Sequence, residues 1–152
     1  MLITRKTDYA IRCVLYLSEK KGIIANVDEI AKSMLIPKSF LAKILQKLEK
    51  TGIVKSNKGR KGGFSLGKEP KGVSLMEVIE IIQGPLSINV CAIDKRKCDL
   101  SNICSVHPVW GKIKKETEEK LKKMSFEALS RERKKFFENN FGLNFKKKEV
   151  KK

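Results

Sequence analysis

A mainly α-helical fold with one small β-hairpin is predicted by three observations. Apolar residues recur at three- and four-residue steps over 41–48 and again over 110–124, the spacing of one helical face. Helix-start signals stand at Asn26 and Ser74, each with a Glu three residues on, the pattern of a capping box. Only one stretch pairs two short strand-like runs, 53–56 and 64–66, across a glycine-rich turn.

A chain of 152 residues with 41% hydrophobic side chains suits one compact domain, or a small domain with an appended helix, and can bury a core. The longest uninterrupted apolar run, 13–17, is five residues, far below the roughly 20 of a membrane span. With no charged-then-apolar leader ahead of a small-residue cleavage site, the expectation is a cytoplasmic protein with no membrane partner. His107 is the single imidazole, so Ser-His-Asp chemistry is poorly supported. No catalytic residue is assigned, and binding outranks catalysis.

Lys and Arg total 34 against 17 Asp and Glu, a net charge of +17. The excess sits at the ends: residues 1–70 carry +9, 71–110 carry 0 and 111–152 carry +8. Two basic regions around a neutral middle suit a polyanion, because each neutralised phosphate releases condensed counterions. A lysine-rich solvated surface is the alternative.

The dense apolar stretch 9–17 predicts a first helix in which Cys13 is a small buried hydrophobe. Asn26 opens a short helix over 27–33. After Pro37, which is tolerated at a helix start, Leu41, Ile44, Leu45 and Leu48 form one apolar stripe, and Gly52 closes the helix. Two helices joined by a tight turn, the second carrying Lys38, Ser39, Lys43, Gln46, Lys47 and Lys50 off its stripe, are the arrangement of a helix-turn-helix. The hairpin then reads as a wing, its turn carrying Lys58, Arg60 and Lys61 as phosphate or minor-groove contacts. The two spaced glycines and Gly-Lys-Ser/Thr of a nucleotide-binding loop are absent there.

Ser74 opens a further helix that ends at Gly84-Pro85. Residues 84–103 show little periodicity, a longer stretch than compact domains leave structureless, so something is expected to pin it. A last long helix should begin between Ser105 and Pro108 and run to about Met124. Its seam of Trp110, Ile113, Thr117, Leu121 and Met124 predicts packing on a partner helix in a homodimer, or back on its own domain. Beyond Ser130, Phe136, Phe137, Phe141 and Phe145 lack a clean period, and fraying or disorder is expected through the final lysines.

Cys91, Cys98 and Cys104 lie within fourteen residues of one another, with His107 three beyond. Three thiolates and an imidazole make a four-ligand set for zinc or an iron-sulfur cluster, and the spacing does not choose between them. A helix start near Cys104 would favour thiolate. A Cys104–His107 nucleophile and a redox-active or inert cysteine trio stay open.

The segments 2–4 and 7–10, Ile30-Ala31, 36–41, the wing run 59–66 and the three cysteines together resemble the IscR/NsrR-type (Rrf-two) transcriptional regulators, over about residues 1–130. The resemblance implies a homodimeric winged-helix protein that binds double-stranded DNA at a two-fold symmetric operator. It divides the chain into a DNA-binding domain (1–83), a cluster-binding loop (84–104), a dimerisation helix with a short following helix (105–130) and a basic flexible tail (131–152). Cys91, Cys98 and Cys104 become ligands of an iron-sulfur cluster sensing iron, cluster status, redox or nitric oxide. His107 matches the fourth ligand of a 2Fe-2S branch and Asp8 that of a 4Fe-4S branch, the first being preferred. The six-residue gap after Cys91 departs from the family's five. The implied DNA contacts are Lys38, Ser39, Lys43, Lys47, Lys58, Arg60 and Lys61. The rivals are a regulator of the same fold sensing through thiol oxidation, zinc or a small ligand, and a small iron-sulfur electron-transfer protein.

Overall fold

Residues 2–141 are described by a computed structural model of the chain. Thr4 accepts the Thr7 backbone N–H on its hydroxyl and opens α1, Arg5–Glu19. This helix is the hub: Ala10, Cys13, Val14 and Leu17 are buried on it, and α2, α3 and two later helices pack around it. Burial pushes the Cys13 thiol up to about 12, because a thiolate would be stripped of water there.

Asn26 accepts the Glu29 N–H (2.8 Å) and opens α2, Val27–Met34. The turn out of α2 has no glycine; Leu35 itself takes the left-handed conformation at φ 52°, and the Ile36 N–H returns to the Ala31 carbonyl (2.9 Å), which satisfies the helix end. Pro37 then precedes α3, Lys38–Lys50, whose stripe of Leu41, Ile44, Leu45 and Leu48 is buried. Gly52, at φ 75°, turns the chain after it.

β1, Val54–Asn57, pairs antiparallel with β2, Gly63–Leu66, in the register Val54 to Leu66 through Asn57 to Gly63. The predicted wing is thus present, with an extra edge: Ala25 bridges Phe64 through two backbone hydrogen bonds of 2.9 and 2.8 Å. After a single 3₁₀ turn at Pro70–Gly72, Ser74 accepts the Glu77 N–H (3.1 Å) and opens α3's neighbour α4, Leu75–Gln83.

The stretch after Gly84 is not structureless. Single 3₁₀ turns occupy Val90–Ala92 and Lys95–Lys97, and Leu86 is buried against Met76 and Ile79 with Leu121 alongside. α5, His107–Lys123, follows with no buried residue, although it lies against α4. Val109, Ile113 and Met124 are exposed along it and just beyond it.

α6, Phe126–Phe141, corrects the expectation of a flexible tail from residue 131. Phe126 is fully buried, and Arg133 pairs with Glu19 of α1 (2.7 Å) while covering the Phe137 ring at 5.4 Å. Phe137 meets Phe141 one turn on (5.7 Å). The adjacent Phe136 hides that four-residue step in the sequence. Phe145 and the final lysines lie outside the described residues. Among those described, no helix is long and apolar enough to cross a membrane.

Candidate functional site

Two surfaces carry the residues singled out by the sequence. The first is built on α3 and the wing. α2 and α3 form the helix-turn-helix, and α3 starts without a side-chain cap, unlike α1, α2 and α4. Exposed N–H groups at such a start favour phosphate. Ser39 and Lys43 are exposed, whereas Lys38 pairs with Asp28 (2.8 Å) and Lys47 donates to the Ile82 carbonyl of α4 (3.2 Å). These last two face other parts of the protein.

Lys58, Arg60 and Lys61 are exposed at the wing tip. The wing is held to α3 by a hydrogen bond from Ser56 to Glu49 and stiffened by Asn57, which donates to Ser65 (3.1 Å). Its glycine pair answers to the protein's own backbone. A Cβ on Gly62 would lie 2.7 Å from the Asn57 carbonyl oxygen, and one on Gly63 would lie 2.4 Å from that of Ala25.

The second surface is the cysteine loop and the start of α5. Cys91, Cys98 and Cys104 are free thiols, each half-buried. Cys91 sits in the first 3₁₀ turn, and Cys98 ends the second by returning its N–H to the Lys95 carbonyl (3.2 Å). The Arg96 guanidinium grips Asp94 (3.0 Å) and holds that carboxyl below its usual range. α5 starts at His107, so Cys104 stands ahead of the first turn, where the dipole falls off; the helix start does not account for a thiolate there. His107 Nδ1 is buried with no hydrogen-bond partner, a state that costs about 1–3 kcal/mol unless a ligand meets the nitrogen. Among the described residues, no three His, Cys, Asp or Glu side chains converge closely enough to hold a metal ion. The donor set therefore suits a soft metal centre in kind, without being gathered around one.

Asp8, the other expected fourth ligand, is tied to Arg12 (2.7 Å). Arg12 also covers the Tyr9 ring (5.8 Å) and reaches the Met34 carbonyl (3.4 Å). Tyr9 in turn meets Phe40 of α3 edge-on (5.7 Å).

Sequence reasoning missed a residue that ties the end of α4 to the start of α1. Gln83, at the end of α4, accepts from the Thr4 N–H and the Thr7 hydroxyl (3.0 Å each) and donates to the Leu2 carbonyl (3.0 Å). It stands beside Ile82, which Lys47 holds, and before Gly84 at φ 92°, where the cysteine loop begins. The available signal was a lone amide ending an otherwise apolar helix face.

Residues 3–132 match the family described as Rrf2, iron-dependent transcriptional regulator. The chain is 33% identical over 112 residues to the HTH-type transcriptional regulator NsrR of Bacillus subtilis, covering 73% of each. The NsrR of Bacillus licheniformis is 35% identical over 114 residues, 74% of this chain and 80% of that one. Among solved structures, CymR, the global cysteine regulator of B. subtilis, superposes with a TM-score of 0.74 at 24% identity over 87% of this chain and 98% of that one. IscR of T. potens does so with a TM-score of 0.73 at 22% identity over 90% of each. These two likenesses bear on the fold alone.

Proposed function

This chain belongs to the Rrf2 family of transcriptional regulators, and from that premise we propose that it binds a two-fold symmetric operator as a homodimer under the control of an iron-sulfur cluster. Cys91, Cys98 and Cys104 are its ligands in this reading, with His107 the fourth and a 2Fe-2S centre preferred to 4Fe-4S. The observation that carries it is the orphaned, buried Nδ1 of His107, three residues after the last of three disulfide-free thiols. Asp8, engaged by Arg12, is the weaker candidate. When bound, such a cluster supplies a centre whose state changes with iron supply, oxidants or nitric oxide.

The protein's own residues supply the rest. Ser39 and Lys43 face the major groove, and Lys58, Arg60 and Lys61 grip phosphates or the minor groove. The DNA-binding part is 1–83, the sensing loop 84–104 and the dimerisation part 105–130. α5, with no buried residue and an exposed Ile113, meets its counterpart in a second copy. Gly84 links the loop to the last turn of α4, so a loop holding a ligand would act on α3 through Ile82 and Lys47 and on the start of α1 through Gln83.

A second reading, regulation through thiol oxidation, zinc or a small ligand, is favoured by one observation: the donors do not converge. Anaerobic purification, a visible spectrum and iron, sulfide and zinc analysis decide between the two. The cluster reading expects a coloured protein with iron and sulfide, lost in Cys91→Ala, Cys98→Ala and Cys104→Ala and altered in His107→Ala but not Asp8→Ala. An iron-free protein that reconstitution cannot convert contradicts it.

A further inference from the structure

Resting on the DNA-binding reading above, we infer that α3 reads base pairs through one narrow stripe, Ser39, Ala42, Lys43 and Gln46, with Gln46 its adenine-reading residue. Not every exposed side chain of α3 is free. Lys38 is held by Asp28 (2.8 Å), Phe40 by the Tyr9 ring (5.7 Å), Lys47 by the Ile82 carbonyl (3.2 Å) and Glu49 by Ser56. Ser39, Ala42, Lys43, Gln46 and Lys50 remain exposed.

At about 100° per residue, those five fall within an arc of about 100°. The four engaged side chains border it: Lys38 and Glu49 on one margin, Phe40 and Lys47 on the other. The contacts that fasten α3 to α1, α2, α4 and the wing thus frame a single open face, and it is the face a groove would meet.

The chemistry along that face is a short reading frame. From Ser39 to Gln46 the helix advances about 10 Å, about three base pairs at roughly 3.4 Å each. A Gln amide pairs in two places with adenine N6 and N7, a Lys ammonium meets guanine O6 and N7, and an Ala methyl fits the thymine methyl. Lys43 and Gln46 stand about 4.5 Å apart along the axis, so guanine and adenine are specified at adjacent or nearly adjacent positions of each half-site. Lys50, about 6 Å beyond Gln46, reaches a phosphate at the groove edge and carries no sequence preference.

Selection from randomised duplexes, with the full-length protein and its Gln46→Ala, Lys43→Ala and Lys50→Ala variants, tests this. All three positions are exposed, and thermal melting checks that each variant folds. Gln46→Ala is expected to lose about tenfold to a hundredfold preference for one adenine while the remaining consensus persists. Lys43→Ala loses preference at a neighbouring guanine, and Lys50→Ala binds more weakly while selecting the wild-type consensus. An unchanged consensus for Gln46→Ala, or a Lys50→Ala protein that alone loses a base, overturns the stripe while leaving the DNA-binding reading in place. A wild-type protein that selects no sequence, and binds duplex no more tightly at low salt than at high, overturns both.

Discussion

The chain divides into a half that is complete in one copy and a half that is not. Up to Gln83, every helix buries a stripe and the wing is tied at both its base and its side. From 84 to 125, only Leu86 and Ser101 are buried, and α5 buries nothing. An amphipathic seam normally gains its stability by burial, and that of α5 stays open in the single chain. In the proposed function, a second copy covers it and a ligand meets the thiols.

The contrast is sharpest at the four cysteines. Cys13, in the complete half, is fully buried with its thiol pushed up to about 12; the loop cysteines are half-buried. In cluster-free native protein, a thiol reagent is expected to label three cysteines rapidly and the fourth only at the rate of global unfolding, orders of magnitude more slowly. Four equally fast thiols would erase the distinction. A raised thiol pKa favours the protonated, folded form, so Cys13's contribution to stability is complete below its ordinary 9.0 and is lost as pH rises toward 12.

Truncations across the boundary come next in size. Ile44→Ala, at a fully buried α3 position, should cost about 2–5 kcal/mol in denaturant unfolding. Ile113→Ala, at a position 38% exposed, should cost about 1 kcal/mol or less within one chain. Its effect appears instead in sedimentation velocity, where Ile113→Glu shifts the protein toward monomer. Equal losses of chain stability from the two alanines would mean that α5 is packed as firmly as α3.

Gly63→Ala drives a methyl against the Ala25 carbonyl at 2.4 Å and is expected to cost about 1–3 kcal/mol, with loss of DNA binding as the wing detaches. Gly59→Ala meets open space at φ 118° and should cost less, about 1 kcal/mol. Gln83→Ala falls between these two glycine changes. Losing its three partners is worth about 1–2 kcal/mol, read as faster amide exchange over residues 4–8, and it should weaken communication between the halves more than it weakens either half.

Much of the complete half is legible in the sequence, because its signals are local. The Asn26 and Ser74 caps, the stripe of α3 and the glycines of the wing all act within a few residues of themselves. What escaped reading is long-range or unorthodox. Leu35 adopts a conformation usually left to glycine, and Ala25 joins the wing across thirty-nine positions. α6 is pinned by Arg133 to Glu19, whose sequence distance no periodicity reveals. At the site, residue types were legible and commitments were not: Lys38, Lys47 and Asp8 read as available, yet Lys38 pairs with α2, Lys47 with α4 and Asp8 with Arg12 one turn along its own helix. The cysteine loop shows its donors in sequence, but among the described residues the fold does not bring them together.

In the proposed function, the ligand state of the incomplete half sets the DNA affinity of the complete one. The most direct test of this is one anaerobic anisotropy titration of the same selected duplex with cluster-loaded and cluster-free protein at fixed salt. A difference in Kd of about fivefold or more, the usual range of coupling between sites, is the result expected. Identical curves from two preparations of verified iron content would contradict it.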